Sequence, residues 1–377
     1  SERLDILNAA LVNGIASHVL DFDDTHPDTL VHPSGPVAAA LLALAEYRDA
    51  PGSAVLNAFV VGVEVECRVA RAVLPAHYEI GWHLTGTAGV FGAAAACANL
   101  LGLDAERTVW ALGLAATQSA GLREMFGSMA KSLHPGQAAR NGLAAALLAE
   151  RGFTSAERGI EGKVGFAAVT STTVDLSRAV DGLGTRFDLL GNTYKPFACG
   201  LVIHPVLDAC IQLAERHALR ADSIDRIDLE VNLLAVELTG KPRPTTGLEG
   251  KFSIFHSAAV AILDRAGGEA QYLDARVNAA DVIALRSRVH AIVDASLSIT
   301  AVRVTITMRD GRRHSLALEH CLGSREKPMS DAQMAAKYRD LCAGVLAPTG
   351  IEASLAALGG IAQAPSVAAV MRACAPA

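Results

Sequence analysis

Four short polar segments interrupt an otherwise apolar chain, and each carries side chains able to move a proton or hold an anion. The first is Asp21-Phe22-Asp23-Asp24-Thr25-His26-Pro27, followed closely by His32-Pro33-Ser34. Prolines and acids break the helical spacing here, so a loop is predicted that concentrates polar groups where a packed core would reject them. Asp21 lies near histidines whose tautomer and basicity a carboxylate can set, and the Thr25 hydroxyl can bind a substrate carboxylate. On spacing alone the segment also reads as a surface loop rich in helix caps, or as a hard-cation site made of its three acids and His26.

The second segment, Gly81-Trp82-His83-Leu84-Thr85-Gly86-Thr87-Ala88-Gly89, leads straight into a small-residue helix. Free backbone N–H groups and a positive dipole end suit a carboxylate near Thr85, and His83 beside it can remove or return a proton near neutral pH. A capping loop around a satisfied histidine is the plainer alternative. The third segment, Gly127 to Gly136, precedes a helix carrying Arg140 and Asn141. Lys131 and Arg140 can neutralise carboxylates, and Lys131 can also stabilise charge left when a proton leaves an α-carbon. The fourth, Tyr194-Lys195-Pro196-Phe197-Ala198-Cys199-Gly200 with His204, falls at a change in sequence character, where ligand clefts tend to form. Lys195 is a candidate for binding the substrate there. His204, on an apolar helix, reads as structural, and Cys199 as a nearby thiol without a catalytic role. No Walker loop or Gly-x-Gly-x-x-Gly fingerprint follows a strand, which disfavours nucleotide cofactors.

Helices must position most of these groups. Of the 377 residues 51% are hydrophobic but only 5% aromatic, so Ala, Leu and Val dominate and helices packed through small side chains are favoured. Spacing predicts helices over Val37–Ala45, Ser53–Leu74, Gly89–Leu101, Thr108–Gly121 and Gln137–Glu150, with Gly102-Leu103-Asp104 ending one helix and capping the next. After Gly152 the pattern changes. Ile224–Val231 alternates, and Ala301–Met308, Asp310-Gly311 and Arg312–Leu318 read as a hairpin. His204–His217 and Phe252–Leu263 are predicted helices covering a small sheet, and helical character returns from Asp331. The expected fold is mainly α with an α+β second domain: a large helical bundle, residues 1–192, interrupted by a smaller antiparallel-sheet domain, residues 193–328. A helical segment over 329–377 is expected to return to the bundle.

The net charge of −6, from 33 basic and 39 acidic residues without long runs of one sign, leaves no footprint for nucleic acid or an anionic membrane. The most apolar stretch, Ala88–Leu103, is shorter than the roughly 18–20 residues that span a bilayer. Seven cysteines without metal-ligand spacing predict reduced thiols and a cytoplasmic protein, with no zinc or iron–sulfur site.

Taken in order, Asn13-Gly14 with His18, Asp21 to His26, His32-Pro33-Ser34, Gly81-Trp82-His83, Gly127 to Gly136 and Lys251-Phe252-Ser253 resemble the MmgE/PrpD family. That family comprises 2-methylcitrate dehydratases, cis-aconitate decarboxylases and iminodisuccinate epimerases. The resemblance covers most of the chain and implies a helical domain, an α+β lid with a cleft between them, and usually a homodimer. It implies a cofactor-free and metal-free lyase working on the carbon next to a carboxylate of a small polycarboxylate. It also implies further helical sequence before Ser1. Carried over by motif position, the active-site residues fall on Asp21, Thr25, His32, His83, Lys131 and Lys195. Decarboxylase members place a histidine five residues beyond the lysine that matches Lys195, where this chain has Gly200. Dehydration is therefore expected first, with epimerisation close behind and decarboxylation third. A non-catalytic small-acid binding protein is the alternative from another class.

Overall fold

The computed structural model describes residues 3–376. Its first part is a bundle of α1 (Ile6–His18), α2 (Ser34–Arg48), α3 (Gly52–Val73), two short turns α4 (Ala76–Glu79) and α5 (Leu84–Thr87), then α6 (Gly89–Leu100), α7 (Ala105–Ala116) and α8 (Ala130–Glu150). Side-chain caps start two of them. Asp5 accepts hydrogen bonds from the backbone N–H groups of Leu7 and Asn8, and Asp104 from that of Arg107, satisfying donors that a first turn leaves free. Alanines and glycines fill the helix interfaces. A Cβ on Gly14 of α1 would come within 2.6 Å of the Gly136 Cα on α8, so the two backbones cross nearly in contact. That crossing brings the end of α1 beside the start of α8, where His18 and Lys131 lie.

The start of α8 differs from the sequence expectation. The helix begins at Ala130 rather than after Pro135, and Pro135 sits inside it. A proline ordinarily pushes the preceding residue out of helical geometry, which is why spacing alone places the segment up to Gly136 in a loop. As a result Lys131 and His134, three residues apart, project from one helical face.

The second part is built on a four-stranded sheet in the order β4–β3–β5–β6, with β3 (Ile224–Val231), β4 (Val289–Val293), β5 (Val302–Met308) and β6 (Arg313–Leu318). β5 and β6 form the expected hairpin, turning at Asp310-Gly311 with Gly311 at φ +87°. The sheet is not wholly antiparallel, because the edge strand β4 runs parallel to β3. Such a pair needs a long crossover, supplied here by residues 232–288 with their helices. Helices His204–Arg216 and Ile254–Asp264 share one apolar core with the inward residues of β3 and β5. A two-stranded ribbon, β1 (Asp24–Thr25) with β2 (Thr193–Tyr194), ties the first polar loop to the fourth segment. Near the C-terminus Val367 donates to the Ala50 carbonyl and Gly52 to that of Ala364, so this end of the chain lies against α2 and α3. No helix among the described residues is long and apolar enough to cross a membrane.

A carboxyl group interrupts the apolar packing between α3 and α6. Glu66 on α3 is fully buried against α6, and neither carboxyl oxygen has a hydrogen-bond partner among the described residues. Burial, reinforced by Asp24, raises its pKa well above the ordinary carboxyl range, so it is neutral in the folded chain. Because the folded value lies above that of the unfolded chain, about 4.3, stability is full below that pH and is lost as pH rises through the folded value. Glu66→Gln removes this titration. Its melting temperature relative to the unsubstituted chain is expected to climb as pH rises above about 4.3, and calorimetry showing a constant difference would refute that origin.

Candidate active site

A hollow opens between the two parts. Asp21, Thr25, His32, His83 and Lys131 line it from the bundle side, and Lys195 and Gly200 from the other. Residues spread over 180 positions thus share one cavity, and the backbone explains how. The β1–β2 ribbon pairs Thr25 with Thr193, while Lys195 donates to both the backbone and the carboxylate of Asp21 at 3.1 Å. Two further ammonium groups pin the loop from outside. Lys251 donates to the carbonyls of Leu20 and Ala198, and Lys337 to those of Phe22 and Lys195. These four carbonyls lie on the two segments that meet at the hollow, so each ammonium bridges the pair.

Asp21 is the electrostatic centre. Its backbone sits at φ +51°, a left-handed conformation that aspartate tolerates better than most residues. Its Oδ1 accepts from Lys131 Nζ at 2.6 Å and Lys195 Nζ at 3.1 Å. Burial opposes its charge, but the two ammonium groups outweigh burial and hold its carboxyl well below the usual range. Burial also lowers the Lys131 pKa, with Asp21 offsetting only part of the effect. Lys195 ends above its ordinary value because both Asp21 and Asp23 overcome its burial. The rings of Phe126 and Phe252 flank the Lys131 ammonium at 5.5 and 5.3 Å, excluding water from it while offering their π faces.

The imidazoles form a second layer. His32 Nδ1 lies 2.8 Å from the Asp24 carbonyl, which can only accept, so His32 carries its proton on Nδ1 and turns an unprotonated Nε2 away from that contact. Its backbone N–H donates to the Thr85 hydroxyl at 3.1 Å. Burial drives the His32 pKa down to about 3, and burial with the nearby Lys131 charge drives His83 well below its ordinary value. Both rings are therefore neutral proton acceptors at neutral pH. An arriving polyanion raises their basicity by adding negative charge beside them.

Not every expected residue faces the hollow. Thr85 is fully buried and holds His32 rather than lining the cavity. Arg140 does not line it either. It lies nine residues beyond Lys131 on α8, and at about 100° per residue that spacing turns it to the opposite face. His26 bonds Thr29 at 2.7 Å, and Asp24 bonds Ser34 and Asn192, so the acids of this loop and His26 do not converge on a common point. His204 and Cys199 are buried, with no place in the cavity lining.

Two groups that sequence reasoning gave no role join the cluster. His18 reaches it from the end of α1, with Nδ1 2.6 Å from Asp23, and His134 lies 2.8 Å from His83. The signal for His18 was its spacing of three and five residues from Asp21 and Asp23. For His134 it was the one-turn spacing from Lys131, hidden by Pro135. Two trios, His18 with His32 and His83, and His18 with Asp21 and Asp23, each bring three ligand atoms within 4.8 Å. The ammonium groups of Lys131 and Lys195 beside them favour an anionic guest over a cation.

The fold and this cavity define a mainly helical protein with an α+β second part and a hollow between them lined by neutral imidazoles and buried ammonium groups. The chain belongs to the MmgE/PrpD family: residues 1–179 match the MmgE/PrpD N-terminal domain and residues 197–357 the MmgE/PrpD C-terminal domain. Among curated proteins it is similar to the cis-aconitate decarboxylase of Homo sapiens, 30% identical over 353 residues, covering 89% of this chain and 73% of that protein. The corresponding protein of Mus musculus is 30% identical over 355 residues, covering 89% and 72%. The cis-aconitate decarboxylase of Aspergillus terreus is 26% identical over 373 residues, covering 91% and 76%.

Proposed function

We propose that this chain is a cofactor-independent hydro-lyase that removes the proton next to a carboxylate of a small polycarboxylic acid and expels a neighbouring hydroxyl, as a 2-methylcitrate dehydratase does. In this reading Thr25 and Lys195 hold the carboxylate beside the reacting carbon, and His83 takes the α-proton. Lys131 stabilises the enolate-like charge, and its lowered pKa suits it to protonate the departing hydroxyl. Asp21 keeps both ammonium groups in place, and Thr85 keeps His32 in place. The reading assigns the assembly as a homodimer and the compartment as the cytoplasm.

The observation that carries dehydration over decarboxylation is Gly200. It lines the hollow with no side chain, at the position where the family resemblance implies a histidine in decarboxylase members. Its backbone, at φ −57° and ψ 132°, is open to any residue, and a Cβ there would meet its nearest neighbour at an ordinary 3.5 Å. Space therefore does not explain the missing imidazole. Decarboxylation of a cis-aconitate-like acid is the second reading, favoured by the names of the curated relatives.

The test is incubation with a panel of hydroxylated and unsaturated polycarboxylates, with mass-spectrometric detection of water loss, carbon dioxide loss and isomerisation. Water loss, with no carbon dioxide released, is expected. Gly200→His, which supplies the missing ring, is expected to introduce measurable decarboxylation without raising dehydration. Release of carbon dioxide by the unsubstituted chain as its main reaction would reverse the ranking.

A further inference from the structure

His83 and His32 differ in what fixes their protons. His32 faces a carbonyl, so its tautomer is set, whereas His83 Nδ1 faces another imidazole nitrogen, His134 Nδ1, at 2.8 Å. Two ring nitrogens at that distance share one proton, because two N–H groups would repel and two lone pairs would leave a buried contact unmade. If the shared proton is on His83, its Nε2 is a base; if it is on His134, His83 carries its proton on Nε2 and is an acid. The pair is therefore a two-position proton switch.

His134 is also held for this contact. It lies on α8 one turn beyond Lys131, and its ring packs where glycines leave room. A Cβ on Gly86 would come within 3.2 Å of the His134 Cβ, and one on Gly121 within 3.4 Å of its Cγ. Gly121 in turn accepts the His83 backbone N–H at 3.0 Å, so one short segment positions both rings. His83 is the more deeply buried of the two, at 1% exposure against 9% for His134. The Lys131 ammonium is the foremost charge acting against a proton on His83. An added proton is better placed on His134 than on His83.

We infer that His134 is a positioning and relay residue for His83, setting its tautomer in the resting site and receiving its Nδ1 proton when Nε2 takes one from the substrate. The step balances. The substrate C–H bond breaks and leaves its electron pair on carbon, the proton binds His83 Nε2, and the His83 Nδ1 proton passes to His134 Nδ1. His83 ends neutral, as its burial requires, and the charge rests on His134, which returns the proton or yields its Nε2 proton to water. This rests on the reading of His83 as the acceptor of the α-proton. The pairing itself is a property of the resting protein and can be examined without any substrate.

The experiment uses the full chain with 15N-labelled histidine and long-range proton–nitrogen correlation spectra, His83 being assigned through His83→Gln. His134→Asn keeps an acceptor for the His83 Nδ1–H but cannot take up the proton, whereas His134→Ala removes both. His83 is expected to hold the Nδ1–H form in His134→Asn and to leave it in His134→Ala. With an acid the chain turns over, α-deuterium exchange in His134→Asn is expected to fall at least about tenfold although the His83 tautomer is retained. Unchanged His83 nitrogen shifts in both variants, or exchange at the unsubstituted rate in His134→Asn, would overturn the inference. If no acid exchanges with the unsubstituted chain, the functional reading fails while the nitrogen shifts still decide the pairing. If His134→Ala does not fold, His134→Leu, which also removes both the acceptor and the proton site, takes its place in the comparison.

Discussion

Replacing Asp21 with alanine is expected to cost about 3–5 kcal/mol of stability and to abolish turnover, the largest stability effect predicted for a single residue here. Lys131 and Lys195 both donate to one oxygen of this carboxylate, and all three side chains are buried. Without the carboxylate, two ammonium groups face each other in a medium that cannot screen them. Alanine also fits the left-handed backbone at φ +51° poorly, so Asp21→Asn is the control, since it tolerates that conformation and removes only the charge. The sign of the acid dependence follows from the lowered carboxyl pKa. Its contribution is present above the unfolded aspartate value, about 3.9, and is lost as pH falls through the lower folded value. Chemical denaturation at neutral pH should therefore show the full gap between the unsubstituted chain and Asp21→Asn, and acid should close it. A loss below about 1 kcal/mol for alanine would mean that the ammonium pair is not held as described.

His83→Ala is expected to reduce α-deuterium exchange into an accepted acid by about 10²–10⁴-fold while the chain stays folded, the largest expected effect on rate from an imidazole. The ring lies in the hollow 5.0 Å from the rings of Phe126 and His134, and its hydrogen bond is to another side chain, so removing it opens space beside an existing cavity. Deuterium uptake read by mass spectrometry, with the melting temperature as the check on folding, separates chemistry from collapse. His32→Ala is the informative companion. His32 presents the second unprotonated ring nitrogen, and the variant that loses more exchange marks the principal acceptor of the α-proton. Exchange within roughly twofold of the unsubstituted rate in His83→Ala would remove His83 from that role.

The sequence by itself determined the elements, because each is encoded by neighbours. The apolar spacing of Val37–Ala45 marks α2, Asp104 after Gly102 marks the start of α7, and Asp310-Gly311 between alternating residues marks the β5–β6 turn. It also marked the loop of Asp21, since prolines and acids cannot continue a helix. Where a local signal misled, the cause was local as well: Pro135 made the first turn of α8 look like loop. Once that turn is helical, the rotation per residue separates Lys131 and His134 from Arg140. Only the tertiary structure decided which charges meet. Asp21 pairs with lysines 110 and 174 residues away, and His83 with a histidine 51 residues away. Periodicity specifies which face of an element is buried but not which distant face it is buried against. That choice was made by the close crossing at Gly14 and Gly136 and by the two-residue pairing of β1 with β2.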